Sequence, residues 1–257
     1  MSGIFGVVSA KGDCAETLLY GTDYHSHLGT EYGGMAVVGE RFARRIHQIS
    51  QSQFKSKFYP EFSKLKGNKG IAVISDCDEQ PMYIHSRHGE FCIATNGFIQ
   101  NTGELAQMLY KKGISFSEFS RGDYNVPEMV AKLISQGTDL VDGIKRMFEV
   151  IDGSCSLLLL TREGVYAVRD RRGYTPLIVG KRDDAWAVTT ETAAFSNNGF
   201  DVVKYLEPGE IVLLSEKGIE QKAPGGKTCQ MCAFYWIYTG FPASNYEGIN
   251  TEVVRER

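Results

Sequence analysis

Ser2 is the first residue of this chain whose side chain can do chemistry. It stands directly behind Met1 and runs straight into GIFGVVS (3–9), an apolar run dense enough to read as a buried strand. A protein that sends its first residues into its core can use the N-terminus itself as a catalytic group. A serine hydroxyl is a weak nucleophile near neutral pH and needs an adjacent base. The competing reading is that Ser2 is only a small residue that permits tight packing. Cys229 and Cys232, in TCQMC, have metal-ligand spacing, but a structural zinc site usually needs four ligands and no second pair exists. The five histidines show no metal spacing: His25 and His27 fall at a helix end, and His85 and His88 flank a turn. The sequence therefore predicts no metal, and RFARRIH (41–47) reads as an exposed strand edge.

The bulk composition narrows the function classes. The chain has 257 residues, 42% hydrophobic and 23% charged, enough for one large domain or two small ones with a sizeable core. A net charge of −3 gives no electrostatic reason to expect nucleic acid or an anionic membrane as partner. No apolar run approaches the ~20 residues of a membrane span, and LLLL at 157–160 is too short. The N-terminus lacks the basic and apolar regions of a secretory signal. Six scattered cysteines, several in strand-like runs, point to free thiols in a reducing cytoplasm.

Periodicity and turn signals predict the elements that must position Ser2. Strands are expected at 3–9, 35–40, 70–75, 81–86 and 91–96, with helices at 14–27 and 52–65. Asn101 with Glu104, and Asn125 with Glu128, form two capping-box signatures, the first helix ending near Gly113 and the second carrying Pro127 in its first turn. A third helix covers 140–150. From 154 the pattern turns to strands separated by REG, RRGYTP, RDD and EPGE, and the stretch from 223 is irregular and aromatic. Strands, then helices, then strands again fit a layered α+β domain with two sheets between helices.

Several stretches in series resemble one family: GIFGVV (3–8), HLGTEYGGMAV (27–37), NGFIQN (96–101), RDRRGYTPLIVGK (169–181), TTETAAF (189–195), LEPGEIV (206–212) and CAFYWIYTGFPASNYEGIN (232–250). They resemble the glutamine-hydrolysing domain of glutamine phosphoribosylpyrophosphate amidotransferase (amidophosphoribosyltransferase), a class II, N-terminal-nucleophile glutamine amidotransferase of purine biosynthesis. The resemblance implies a four-layer αββα sandwich of two mainly antiparallel sheets over 1–227. Residues 228–257 are then an extension that in the family leads into a phosphoribosyltransferase domain. It also implies a mature first residue, normally Cys, that attacks the glutamine amide and releases ammonia to that second domain.

Carried over residue by residue, this implied site is altered. Ser2 holds the nucleophile position, and its own α-amine would serve as base only with Met1 removed. Ser75 stands where an Arg would pair with the substrate carboxylate, and one hydroxyl cannot replace a bidentate guanidinium. Val126 stands where an Asp would hold the substrate ammonium. Asp123 is the nearest substitute, and Glu128 is better explained as a helix cap. Leu28-Gly29-Thr30 replaces an Arg-Gly-Gln. Asn96 and Gly97 match the family's oxyanion hole, whose donors can contribute ~3–4 kcal/mol. TNGF also reads as a tight strand exit with glycine at positive φ. Glutaminase activity is expected to be absent or very weak.

In the extension, Tyr235 replaces a Glu and Phe241-Pro242-Ala243 replaces Arg-Pro-Asp. The phosphoribosyltransferase fingerprint does not occur before Arg257. Cys232 matches an iron–sulfur ligand position whose partners lie in the family's other half, so no cofactor is expected in this chain. CAFYWIY is expected to contact another domain or subunit, or to pack under the sandwich itself. The implied partners are a phosphoribosyltransferase domain or subunit and a second copy of the chain. Two further readings are a Ser2-dependent amidohydrolase acting on glutamine or another small amide, and a non-catalytic module binding a small amino acid or amide.

Overall fold

Alternation along the apolar strands sorts their side chains onto opposite faces, and two sheets result with core on both sides of each. The computed structural model describes residues 2–117, 119–120 and 123–257. Whether Met1 is retained falls outside the described residues.

The chain runs through β1 (Ser2–Ser9), α1 (Ala15–Asp23), β2 (Tyr32–Val38), β3 (Phe42–Gln48), α2 (Phe54–Phe58), β4 (Lys69–Ser75), β5 (Met82–Ser86), β6 (Gly89–Ile99) and α3 (Thr102–Tyr110). The short pair β7 (Phe119–Ser120) and β8 (Asp123–Tyr124) precedes α4 (Val126–Ile134) and α5 (Leu140–Val150). Then follow β9 (Gly153–Leu160), β10 (Val165–Val168), β11 (Ile178–Arg182), β12 (Ala185–Thr189), α6 (Ala193–Ser196), β13 (Asp201–Tyr205), β14 (Ile211–Ser215) and β15 (Gly218–Ala223). A π-helical turn (Tyr235–Thr239), the hairpin β16 (Asn245–Tyr246) and β17 (Ile249–Asn250), and α7 (Thr251–Arg255) end the described chain.

One sheet has the order β13-β11-β12-β1-β4-β2-β3 and the other β15-β14-β10-β9-β6-β5. β1 lies in the middle of the first, antiparallel to β12 and β4, and all its residues are buried. Burial on both faces is why it reads as a continuous apolar run rather than an alternating one. Ile4 and Val8 point into the gap between the sheets, where Ile71, Val73, Ala94 and Leu158 meet them. Phe5 and Val7 point the other way, with Ala72 and Ile74, toward Leu18 and Leu19 of α1. On the far sheet Phe91, Ile93 and Leu157 pack against Leu105 of α3, Val130 of α4 and Ile144 of α5. Three interlayer cores make the αββα sandwich.

Several local expectations change. The helix expected at 52–65 is cut to Phe54–Phe58, followed by a 3₁₀ turn at Phe62–Lys64. Pro60 has no N–H to continue the helix ladder. Helix α1 ends at Asp23 rather than 27. Asn125 caps α4 as expected, accepting the Glu128 N–H at 2.9 Å. Asn101 caps nothing with its side chain, which instead reaches across to the Val150 carbonyl and the Asp152 N–H. Local pattern cannot separate these two asparagines, because the competing partner of Asn101 lies about fifty residues along the chain. RFARRIH is the edge strand β3.

Phe5 is fully buried and meets Phe195 edge-on at 6.4 Å between ring centroids. Phe5→Ala is expected to destabilise the fold by about 3–5 kcal/mol, read as a lower urea midpoint at unchanged slope.

Candidate active site

Strand parity decides which polar residues share a face. Even positions of β1 and β6 and odd positions of β4 point into the inter-sheet gap, as Ile4, Ala94 and Val73 do. Ser2, Asn96 and Ser75 lie on the same parities at the same end of the gap. Ser2 pairs directly with Ser75 across the ladder. Its hydroxyl donates to Ser75 Oγ at 3.3 Å, and its N–H donates to Asn96 Oδ1 at 3.2 Å. The structure thus joins three of the residues read from sequence. All are buried: Ser2 is 9% exposed, Ser75 1% and Asn96 2%.

Ser75 is already committed. Its Oγ accepts the N–H groups of Cys77 and Asp78 at 3.2 and 3.3 Å, fixing the turn after β4. The Leu28-Gly29-Thr30 loop lies against that turn, so closely that a Cβ on Gly29 would sit 2.8 Å from Ser75 N. Thr30 N–H donates to Asp76 Oδ1 at 2.8 Å. Among the described residues no titratable group is hydrogen-bonded to Ser2 Oγ.

Gly97 is not at a strand exit with positive φ, a correction to that alternative. It lies inside β6, and its φ is outside the left-handed region. A glycine is required there because a Cβ would stand 2.1 Å from the Ser154 carbonyl on β9. The odd positions of β6 turn their backbone groups away from β9. At Thr95 those groups are taken by the Gln80 side chain, which accepts the N–H at 2.8 Å and donates to the carbonyl at 3.2 Å. Gly97 has the same parity, so its N–H points to the same open edge. The Asn96 amide has another partner: its Nδ2 donates to the Tyr235 hydroxyl at 3.4 Å. Tyr235 is 3% exposed, and burial raises its phenol, which also bonds Thr175.

Val126 and Asp123 stand elsewhere. Val126 is the first residue of α4 and packs against the core between that helix and the far sheet. Asp123 is exposed and accepts the N–H of Tyr124. Among the described residues the hydrogen bonds around Ser2 reach neither.

Two groups that hold the site together were not singled out from sequence. His25, wholly buried, lies beneath β1, where a Cβ on Gly3 would come within 2.3 Å of its Cβ. Its Nδ1 faces the Thr22 carbonyl at 3.3 Å and its Nε2 faces Thr189 Oγ1 at 2.9 Å. A carbonyl only accepts, so Nδ1 carries a proton. Burial pushes its pKa down to about 4. Glu191, in TTETAAF, is the second. Its carboxylate has no exposed surface and takes His27 Nε2 at 2.8 Å, the Tyr246 hydroxyl at 2.5 Å, Ser244 Oγ at 3.1 Å and Phe241 N–H at 3.4 Å. Burial pushes its pKa up, but His27, His25 and Tyr246 together outweigh that and the net shift is downward. An acid in a stretch of otherwise uncharged residues, AWAVTTETAAF, was the available signal, since buried carboxylates occur only with partners.

These bonds fasten the extension to the sandwich. Arg169, 1% exposed, adds an ion pair to Glu247 at 2.7 Å. Gln230 and Cys232 donate their N–H groups to the Arg172 and Tyr174 carbonyls. Of the two expectations for CAFYWIY, packing under the sandwich is met on one face. Tyr235 is buried, whereas Phe234, Ile237, Tyr238 and Phe241 are 44–73% exposed. Cys229 Sγ accepts from Arg169 Nη2 at 3.4 Å. Among the described residues no three His, Cys, Asp or Glu side chains group as a metal site.

Comparison with known proteins gives the same picture. Residues 69–197 match the glutamine amidotransferase domain family. The amidophosphoribosyltransferase of Methanocaldococcus jannaschii is 26% identical over 286 residues, covering 100% of this chain and 59% of that protein. The amidophosphoribosyltransferase of Bacillus subtilis is 27% identical over 268 residues, covering 99% and 54%. The solved glutamine phosphoribosylpyrophosphate amidotransferase of B. subtilis, complexed with ADP and GMP, superposes with a TM-score of 0.87 at 27% identity, over 97% of this chain and 55% of that one. The chain thus spans little more than half the length of these relatives.

The geometry carries two tests. His25 binds a proton less readily folded than unfolded, so stability is full above about pH 6.5 and falls as the pH drops toward 4. On the order of 3 kcal/mol should be lost across that window, and His25→Gln should flatten the slope measured by denaturation at stepped pH. Glu191→Ala leaves the donors of 27 and 241–246 without an acceptor. It should cost about 3–5 kcal/mol and make 228–257 the first segment cut in limited proteolysis.

Proposed function

The chain belongs to the glutamine amidotransferase domain family, and from that premise we propose that it is the amidotransferase-like part of an amidophosphoribosyltransferase-type protein whose own glutamine hydrolysis is absent or very weak. The observation that carries this reading is the state of Ser2. Its hydroxyl donates to another hydroxyl that is held by two backbone N–H groups. Among the described residues no side chain is placed to take its proton, and a serine's intrinsic nucleophilicity is low. The other half of the reaction is impaired as well. The Asn96 Nδ2 that would stabilise an oxyanion is directed at Tyr235. The carboxylate-gripping position is Ser75, whose short side chain is used within its own turn.

Ammonia is then taken free or supplied by a partner, and the acceptor chemistry lies in a phosphoribosyltransferase domain or subunit, as in the purine pathway. The exposed apolar side chains Phe234, Ile237, Tyr238 and Phe241 suit contact with such a partner. A homo-oligomer in the cytoplasm fits the same reading.

A second reading, Ser2-dependent hydrolysis of glutamine or another small amide, is favoured by one observation. Ser2 N–H still meets Asn96 Oδ1, and Gly97 N–H still faces the open edge. It requires that Met1 be removed to free the α-amine, which intact-mass measurement decides. Retention of the old pocket for binding alone, of a small amino acid or amide, is the non-catalytic form of the main reading.

Ammonia release from glutamine by the wild type is expected to match that of Ser2→Ala, with both near the enzyme-free blank. Release that is lost in Ser2→Ala would overturn the proposal. Restoration by Ser2→Cys would show that the substrate grips survive even with Ser75 in place of a guanidinium, and would contradict that part of the reading while leaving the loss of activity to Ser2 itself.

A further inference from the structure

Beyond the sandwich mouth, the turn after β10 and the glycine-rich loop after β15 meet over α5 and enclose a cavity that the chemistry of Ser2 does not use. It has two adjoining lobes of about 430 and 420 Å³, which share Arg171 and Thr228. Four cationic side chains line it: Arg171 and Arg172 on the turn, Lys145 on α5 and Lys227 on the loop. One carboxylate, Glu149, lines it with them, while Asp152 and Glu207 lie nearby. Among the described residues Lys145, Arg171 and Lys227 have no ion-pair partner. Among the described residues the Arg172 guanidinium donates to the Tyr174 hydroxyl, at 3.4 Å.

The backbone that carries these charges is pinned. Buried Asp170 accepts the N–H groups of Arg172, Tyr174 and Thr175 at 3.1, 3.1 and 2.8 Å. Gly226 N–H donates to the Pro208 carbonyl and Gln230 N–H to that of Arg172. Ser154, Thr228 and Gln230 add neutral polar groups to the larger lobe. An excess of cations over the carboxylates in a concave site attracts anions, and a guanidinium fork matches the paired oxygens of a phosphate or carboxylate.

We propose that this cavity is a binding site for a small dianion, a phosphate ester or a dicarboxylate, with its charged end held between Arg171, Arg172 and Lys227. The site is independent of Ser2 and of whether the chain hydrolyses glutamine.

The test is calorimetric titration of the full chain at low ionic strength, with inorganic phosphate in one arm and succinate in the other. Saturable binding is expected in at least one arm, weakening with added salt, and the arm that binds identifies the source of the charge. The double variant Arg171→Gln/Arg172→Gln should lose roughly tenfold or more in affinity, whereas Lys57→Gln on α2 should not change it. Both arginines are exposed, so the variant should keep its melting temperature. Amide chemical-shift mapping on the wild type gives a reading that needs no variant: the shifts should centre on 145–155, 171–172 and 225–230. No saturable binding of either anion, undiminished affinity in the double variant, or shifts centred elsewhere would overturn the proposal.

Discussion

The sandwich mouth depends on one constraint: β1 must be buried on both faces from Ser2 onward, paired with β4 from Ser2 and with β12 from Phe5. Pairing with β12 and β4 fixes its register, and that register places Ser2 opposite Ser75. A slip of one residue would turn every side chain of β1 to the other layer. A side chain with a Cβ would then face His25 where only Gly3 fits, and Phe5 would lose its place beneath α1. The position of the N-terminal hydroxyl is therefore a by-product of hydrophobic burial several residues further on.

The second support is polar. Glu191 and Asp170 are carboxylates without access to water, and each survives by collecting donors. Asp170 gathers its donors mainly from its own turn, so it acts locally. Glu191 gathers them from the loop at His27 and from residues 241–246, so it joins distant parts of the chain over the site. That difference explains why the extension is part of this fold, although its outer face remains apolar and exposed. Tyr235 is carried inward by the same segment and meets Asn96.

Around Ser2, hydroxyls and an amide satisfy one another: Ser2 bonds Ser75 and Asn96, and Asn96 bonds Tyr235. Such a network is stable because each buried polar atom has a partner.

Much of this was legible in the residues. The apolar runs, the turn signals and the cap at Asn125 depend on neighbours a few positions away, so pattern was enough to place the strands and α4. The series of short stretches from GIFGVV to CAFYWIY carried the family and the αββα sandwich. Other features could not be read locally. Asn101 abandons its cap for partners at 150 and 152, and Gly97 is a glycine because Ser154 presses on it, not because a turn needs it. The pairing of Glu191 with His27 and Tyr246 spans more than fifty residues in each direction. Sequence alone determined which residue types were available at the mouth and which layers the strands would form, because both follow from composition and periodicity. Only the tertiary structure decided which polar groups meet there, because a hydrogen bond between distant segments is set by register and burial, which no local pattern encodes.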